Sequence, residues 1–404
     1  MTGTAMPVAE LAVMLRAGVA AEMDAAVQLR HELHANPEPS GGEFGTAARV
    51  AAALGSPDGP SVAGTGRVIR IGRADGPCIA LRAELDALPI TERSGAPWAS
   101  RSGVMHACGH DVHLAALTAV GRAARAADQA SGLPSPVLAV LQPREESIPS
   151  GAQDLVASGA LAAHAPAAII AAHLQHQLPA GTVAAAVGTV NAATNDFEIT
   201  VEGRGGHAGY PQLTADPVAA LCQTVVALQH AVSRRSDPTH AVVVSIGMLE
   251  AGQAANVIPG TAVARGTMRV LDERDRAGLH RTVTEIVEHT CLAHGCRGTV
   301  SIHDGEPALV NDADLTSATW PWLREAGFEV DTSFRSCGAD DFSYFSGAGR
   351  TMMLFVGTGG PHPLHHPSFL PSDDTVAKVA SALLAGYLGA LTLDSPFMAR
   401  PDSP

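Results

Sequence analysis

The segment His106-Ala-Cys-Gly-His-Asp-Val-His113 constrains this chain more than any other. It packs His106, Cys108, His110, Asp111 and His113 into eight positions, and the Ala-rich run over 114–127 that follows reads as a helix. Cys108 and His110 are thereby predicted at or just before a helix N-terminus, where free N–H groups and the helix dipole favour a thiolate. A thiolate and an imidazole two residues apart can both reach one borderline-soft cation such as Zn²⁺. The plainer alternative is a helix start with His and Asp caps and a buried structural cysteine. Further ligands and a base elsewhere in the chain decide between the two.

At 404 residues the chain exceeds what one hydrophobic core usually supports, so about two domains are expected. A hydrophobic content of 46% is ample for sizeable cores. The net charge of −14 and pI of 5.6 argue against nucleic-acid binding, which needs a basic stripe. Lys378 is the only lysine among 26 basic residues, which removes a mid-chain Schiff-base lysine and a phosphate-cradling G-K-[ST] loop. No G-x-S-x-G elbow occurs, which weakens a serine-hydrolase reading. The first thirty residues lack a basic region followed by an apolar core, and no 18-residue apolar run is read, so neither a secretory signal nor a membrane span is expected. Six scattered cysteines in an acidic chain fit reduced thiols and a cytoplasmic location.

Taken in order, residues 7–35 read as one amphipathic helix closed by Asn36-Pro37, and 46–54 as a second. Strands are predicted at 68–72 and 79–83, the latter running into Glu84 and Asp86 at its C-terminal end, the edge where open α/β sheets bind ligands. Alone, these two acids would read as a solvated strand end. Another buried strand, 137–141, leads into Gln142-Pro-Arg-Glu-Glu146, whose adjacent carboxylates stay ionised together only near a cation. One glutamate on a metal and its neighbour handling protons is the division of labour a metallohydrolase needs. The strand over 167–172 ends at His173. From about 188 to 303 the order β-α-β-β-α-β matches a ferredoxin-like module, with the glycine loop Gly203-Arg-Gly-Gly-His-Ala-Gly209 presenting His207. Cys291 and Cys296 read as structural. The α/β texture then returns with a helix (312–326), a strand (351–356), the loop Gly357–Pro367 carrying His362, His365 and His366, and a closing helix (374–391). The Pro-rich tail is expected to be disordered.

These segments together resemble the amidohydrolase branch of the dinuclear-zinc aminoacylase and carboxypeptidase superfamily, which includes hippurate hydrolase and indole-acetyl-amino-acid hydrolases. The resemblance is carried by His31 and Asn36-Pro-Glu38, LRAELDALPITE at 81–92, HACGHDVH at 106–113, QPREE at 142–146, and His173 before Leu178-Pro179. It continues through GRGGHAGYP at 203–211 with Asp216-Pro217, NVIP at 256–259, GTMR at 266–269, DDFSYF at 340–345 and LHHPSF at 364–369. It implies an α/β fold: a three-layer zinc-hydrolase domain in two parts (1–187 and 304–404) with an inserted ferredoxin-like lid and dimerisation domain (188–303). It implies two divalent metal ions, Zn²⁺ favoured and Mn²⁺, Co²⁺ or Ni²⁺ able to serve, on Cys108, His110, Glu146, His173 and His365, with Cys108 bridging. Glu145 would be the general base on the metal-activated water, and His207 would support the oxyanion from the partner of a homodimer. Asn256 and Arg269 would face the substrate, although a structural salt bridge is an equal reading for Arg269.

The implied activity is hydrolysis of the amide bond in N-acyl amino acids or similar small amides. The alternatives are a carboxypeptidase or dipeptidase with the same metal centre, or a non-catalytic metal-binding dimer. Five positions depart from the pattern: Glu84 stands where relatives usually have Asp, Asp340 where they have Glu, Arg144 where a small residue precedes the glutamate pair, and Gln175-His176 where a Trp-Pro pair follows the metal histidine. An Arg144–Glu145 ion pair would lower the pKa of Glu145 and weaken it as a base.

Overall fold

The structure is a computed structural model and describes residues 6–393, so the Pro-rich tail lies outside the described residues. The chain divides into two compact units. The first runs to Gly188 and resumes over Val310–Phe334 and from Tyr344 onward; the second comprises Thr189–Leu309 and Arg335–Ser343.

The first unit is built on a mixed seven-stranded sheet. Its strands are β1 (Arg67–Ile71), β2 (Cys78–Glu84), β3 (Val137–Gln142), β4 (Pro166–Gln175), β5 (Thr182–Ala184), β12 (Glu329–Asp331) and β13 (Arg350–Gly357), in the order β1-β3-β2-β4-β13-β5-β12. The central β3-β2-β4-β13 run is parallel, so its strands all deliver their C-terminal ends to one edge. Every residue of β2 and β3 is buried; the apolar run over 137–141 suits this, while β2 carries Arg82 and Glu84 into the interior. Helices α1 (Val8–Ala21), α2 (Met23–Ala35), α3 (Phe44–Ala53), α4 (His110–Ser131), α5 (Gly151–Ala157), α8 (Ala313–Glu325) and α9 (Asp374–Leu393) complete the unit. The single helix expected over 7–35 is in fact two. It breaks at Glu22, whose carboxylate is tied to Arg122 of α4 at 2.8 Å.

A second correction concerns α9. By length and composition it is apolar enough to cross a membrane, although no such run was expected. Its Leu383, Leu384, Tyr387 and Leu388 are buried in the core of the unit, which accounts for that composition.

The second unit follows the path β6 (Ala193–Glu202), β7 (Gly206–His207), α6 (Pro217–Arg235), β8 (Val242–Ala251), β9 (Val257–Ile258), β10 (Thr261–Val270), α7 (Glu273–Ala293) and β11 (Arg297–Asp304). Its four long strands lie in the order β11-β6-β10-β8, antiparallel throughout, with β7 and β9 forming a small separate ribbon. Asp216 caps α6 by accepting the Val218 N–H at 2.8 Å, with Pro217 preset at the first helical position. Phe197, Ile199, Val201, Leu221, Val283 and Val287 pack between the sheet and its two helices.

Candidate metal centre

Local backbone chemistry fixes the centre. Gly109 adopts a left-handed conformation (φ 87°) at the N-cap of α4, a turn that L side chains rarely make, and so carries the chain from Cys108 directly into the helix at His110. The parallel strands meanwhile bring Glu84, Glu145-Glu146 and His173 to the same edge from β2, β3 and β4. His365, also left-handed at φ 65°, is held by its own N–H on the Ala107 carbonyl at 2.9 Å.

Two rings are oriented by their Nδ1 atoms. His110 donates Nδ1–H to the Asp86 carbonyl at 2.8 Å, and its Nε2 is buried without a hydrogen-bond partner among the described residues, 3.9 Å from Glu145 Oε2. His173 donates Nδ1–H to the Leu174 carbonyl at 2.7 Å, and its Nε2 lies 3.5 Å from Cys108 Sγ. His365 Nε2 is 3.2 Å from Glu146 Oε1. Two ligand groups emerge within coordinating reach, Cys108-Glu146-His365 and His110-Glu145-Glu146, while His173 joins His110 in a third with Glu84 and His113. In that third group His113 is already spent: Nδ1 bonds Glu84 at 2.9 Å and Nε2 accepts the Leu174 N–H at 3.1 Å. We therefore read His113 as the orienting neighbour of the site and not as a ligand.

The electrostatics run against the expectation from the helix N-terminus. Burial pushes the Cys108 thiol well above its ordinary range, and Glu146, Glu145 and Glu84 push it further, so the helix dipole is outweighed and a thiolate here needs cations beside it. Burial likewise opposes charge on His110, yet Glu84, Asp86 and Glu146 raise it to about 10. A buried imidazole, a thiol and several carboxylates converging with one orphaned ring nitrogen form a donor set that fits divalent cations.

Other expectations resolve plainly. Glu84 and Asp86 are not solvated: Glu84 is buried against Arg82 and His113, and Asp86 accepts from Ser40 Oγ at 2.7 Å and the Glu146 N–H at 2.9 Å. The Arg144–Glu145 pair is replaced by another. The guanidinium of Arg144 goes to Asp154 at 2.5 Å and to the carbonyl of Pro149 at 3.0 Å. His207, Asn256 and Arg269 all belong to the second unit. His207 is exposed on β7 and pairs with Val257, while the Asn256 carbonyl accepts the Ala208 N–H at 3.0 Å, so these two are neighbours. Arg269 donates to the Cys337 carbonyl at 2.9 Å, and among the described residues it makes no salt bridge.

Sequence reasoning missed the buried charges behind α4. Arg30 reaches Asp111 at 3.2 Å, Asp373 at 2.7 Å and the Pro371 carbonyl at 2.6 Å, with its guanidinium over Trp98. These partners lie 81 to 343 positions away, so no local pattern announces them.

The N-acetyl-L-cysteine deacetylase of Bacillus subtilis is 34% identical over 359 residues, covering 88% of this chain and 85% of that protein. The N-acetyldiaminopimelate deacetylase of the same organism is 32% identical, covering 80% and 86%. The crystal structure of a dinuclear metal-binding peptidase of the M20 family from B. subtilis superposes with a TM-score of 0.79 at 30% identity, covering 93% and 99%. The family model for peptidase family M20/M25/M40 matches residues 80–388. The chain belongs to peptidase family M20/M25/M40, and it is a hydrolase of amide bonds.

Proposed function

We propose that this enzyme deacylates N-acyl amino acids at a centre of two divalent ions held by Cys108, His110, Glu146, His173 and His365. The observation that carries this reading is the placement of one dipeptide. Glu146 is shared by the Cys108-His365 group and the His110 group, while its neighbour Glu145 lies 3.9 Å from His110 Nε2. Such ions supply a water of lowered pKa and polarise the amide carbonyl. Glu145 takes a proton from the attacking water and returns it to the departing amine. The thiolate ligand favours Zn²⁺, and the deacetylase names of the relatives favour a small acyl group over a peptide.

In the same reading, residues 188–303 serve as lid and dimerisation domain between the catalytic segments 1–187 and 304–404. His207 supports the oxyanion of a partner's site, and Asn256 and Arg269 face substrate. The unpaired edge of β8, where Met248 is 38% and Leu249 57% exposed, suits a second copy of this chain adding its own edge. The unpaired cysteines suit a reducing cytoplasm.

The test is free-amine release from a panel of N-acetyl, N-benzoyl and long-chain N-acyl amino acids plus dipeptides, with Zn²⁺, Mn²⁺ or Co²⁺ and a chelator control. Chelator-sensitive release from N-acyl amino acids is expected, and Glu145→Ala should retain metal while losing about 10²-fold or more in kcat. Turnover of dipeptides alone would replace this reading with the dipeptidase one, and wild-type rates in Glu145→Ala would remove that residue from the mechanism.

A further inference from the structure

Glu43 is fully buried, and it stands at the N-cap position of α3 without capping that helix. Glu38 does the capping instead, accepting the N–H groups of Gly45 at 3.1 Å and Thr46 at 2.6 Å. The Glu43 carboxylate is thereby free to turn inward. Its Oε1 accepts the N–H of Gly41 and the N–H of Arg144, both at 2.9 Å, and its Oε2 accepts the Thr65 hydroxyl at 2.7 Å. All three donors are neutral. A carboxylate buried without a cation is costly, so what it holds must matter.

What it holds is the residue before the glutamate pair. Arg144 is left-handed at φ 51°, a strained conformation for a non-glycine residue. Its N–H is on Glu43, its carbonyl accepts the Gly151 N–H at 3.1 Å, and its guanidinium is on Asp154. Two residues later the Glu146 N–H is taken by Asp86, a second buried carboxylate, at 2.9 Å. Ser40, from the same turn as Glu43, also donates to that Asp86 at 2.7 Å. The backbone from 144 to 146 is therefore held at both ends by buried carboxylates that are themselves tied to the turn before α3, with Glu145 suspended between.

We propose that Glu43 is a positioning residue: by fixing the left-handed turn at Arg144, it aims Glu145 as base and Glu146 as ligand. The proposal rests on the roles given above to those two residues. What matters is the reach of Glu43 and not its charge. A glutamine has the same reach, since its amide oxygen can keep both backbone N–H groups while its NH₂ faces a Thr65 hydroxyl able to turn and accept. An aspartate keeps the charge but falls short by one methylene, about 1.5 Å.

The experiment compares Glu43→Gln with Glu43→Asp in the full chain, reading kcat and KM, the pH profile of kcat, and Zn²⁺ affinity by competition with a chelator. Glu43→Asp is expected to lose about 10- to 100-fold in kcat with KM nearly unchanged, the scale of a misplaced catalytic group. It should also bind its more weakly held Zn²⁺ about tenfold less tightly, the scale of a lost outer-shell partner. Glu43→Gln should stay within about threefold of wild type in kcat, with the same pH profile. Equal losses in both variants, or a shifted pH profile in Glu43→Gln, would assign Glu43 an electrostatic role and overturn the proposal. A wild-type kcat in Glu43→Asp would overturn it as well. Should Glu43→Asp not fold, Thr65→Val removes one anchor of the carboxylate and is expected to lower kcat about threefold; an unchanged kcat sinks the idea. If the wild-type enzyme turns over nothing in the panel, the functional reading fails while the Zn²⁺ competition still decides on the clamp. Equal affinity in Glu43→Asp and wild type would then refute it.

Discussion

His34 lies buried between two carboxylates, with Nδ1 3.0 Å from Asp111 and Nε2 3.1 Å from Glu92. Burial opposes its charge, but Asp111 and then Glu92 outweigh burial and raise its pKa from 6.5 to about 9. Arg30 shares Asp111, the His106 ring lies 6.3 Å away, and Trp98 packs edge-on. A group whose pKa is raised on folding contributes stability that is fully present below its unfolded value. That contribution is lost as pH climbs through the folded value. The Tm gap between wild type and His34→Gln should therefore be widest below about pH 6.5 and narrow as pH passes about 9. A gap that does not change with pH would mean the imidazolium is not the stabilising form. At this scale the sequence was informative for which ionisable groups converge and uninformative for their supports. Cys108, His110, Glu145 and Glu146 could be singled out because short spacings and strand ends carry them. Arg30, Glu43 and the burial of Asp86 could not, because their partners come from remote segments and a lone acid looks the same buried or solvated.

The loop between β3 and α5 carries Glu145 and Glu146 of the candidate centre, and its geometry depends on how closely its two ends approach. A Cβ on Gly151, the first residue of α5, would lie 1.7 Å from the Pro143 carbonyl oxygen. That clash involves backbone on both sides and cannot be relieved by a rotamer change. Gly151→Ala should push α5 off the end of β3, lower Tm by several degrees and weaken metal binding, as Glu146 shifts with the loop. Gly159 is the control: its φ is 73° with open space around it, so Gly159→Ala should cost only about 1 kcal/mol of left-handed strain and leave metal content alone. Equal metal content in both variants would show that the loop tolerates displacement. Elements of this kind were the hard ones to foresee. Strands with alternating burial and helices with clear stops, such as Thr261–Val270 and Glu273–Ala293, were legible to the residue. Short pieces such as Thr182–Ala184, Glu329–Asp331 and α5 carry too few residues for a period to show, and their pairing is set by the sheet they join.

For the whole molecule, the proposed role of His207 can be separated from every within-chain alternative by mixing subunits. Glu145→Ala destroys the base of its own site, and His207→Ala, in the proposed dimer, destroys the oxyanion support of its partner's site. Each homodimer should be nearly inactive. Co-refolding equal amounts gives heterodimers as about half of the population. In each heterodimer one site combines an intact Glu145 with an intact His207 from the other chain, and the second site lacks both. Activity should therefore recover to about one quarter of wild type. If His207 served its own chain, each site of the heterodimer would lack one group and nothing would recover. Leu249→Arg on the exposed edge of β8 carries the same logic to the interface. It should yield a monomer by light scattering, with intact metal content and kcat lowered to the level of His207→Ala. A fully active monomer would remove the partner from the reaction altogether, and a dimer that persists would move the interface off that edge.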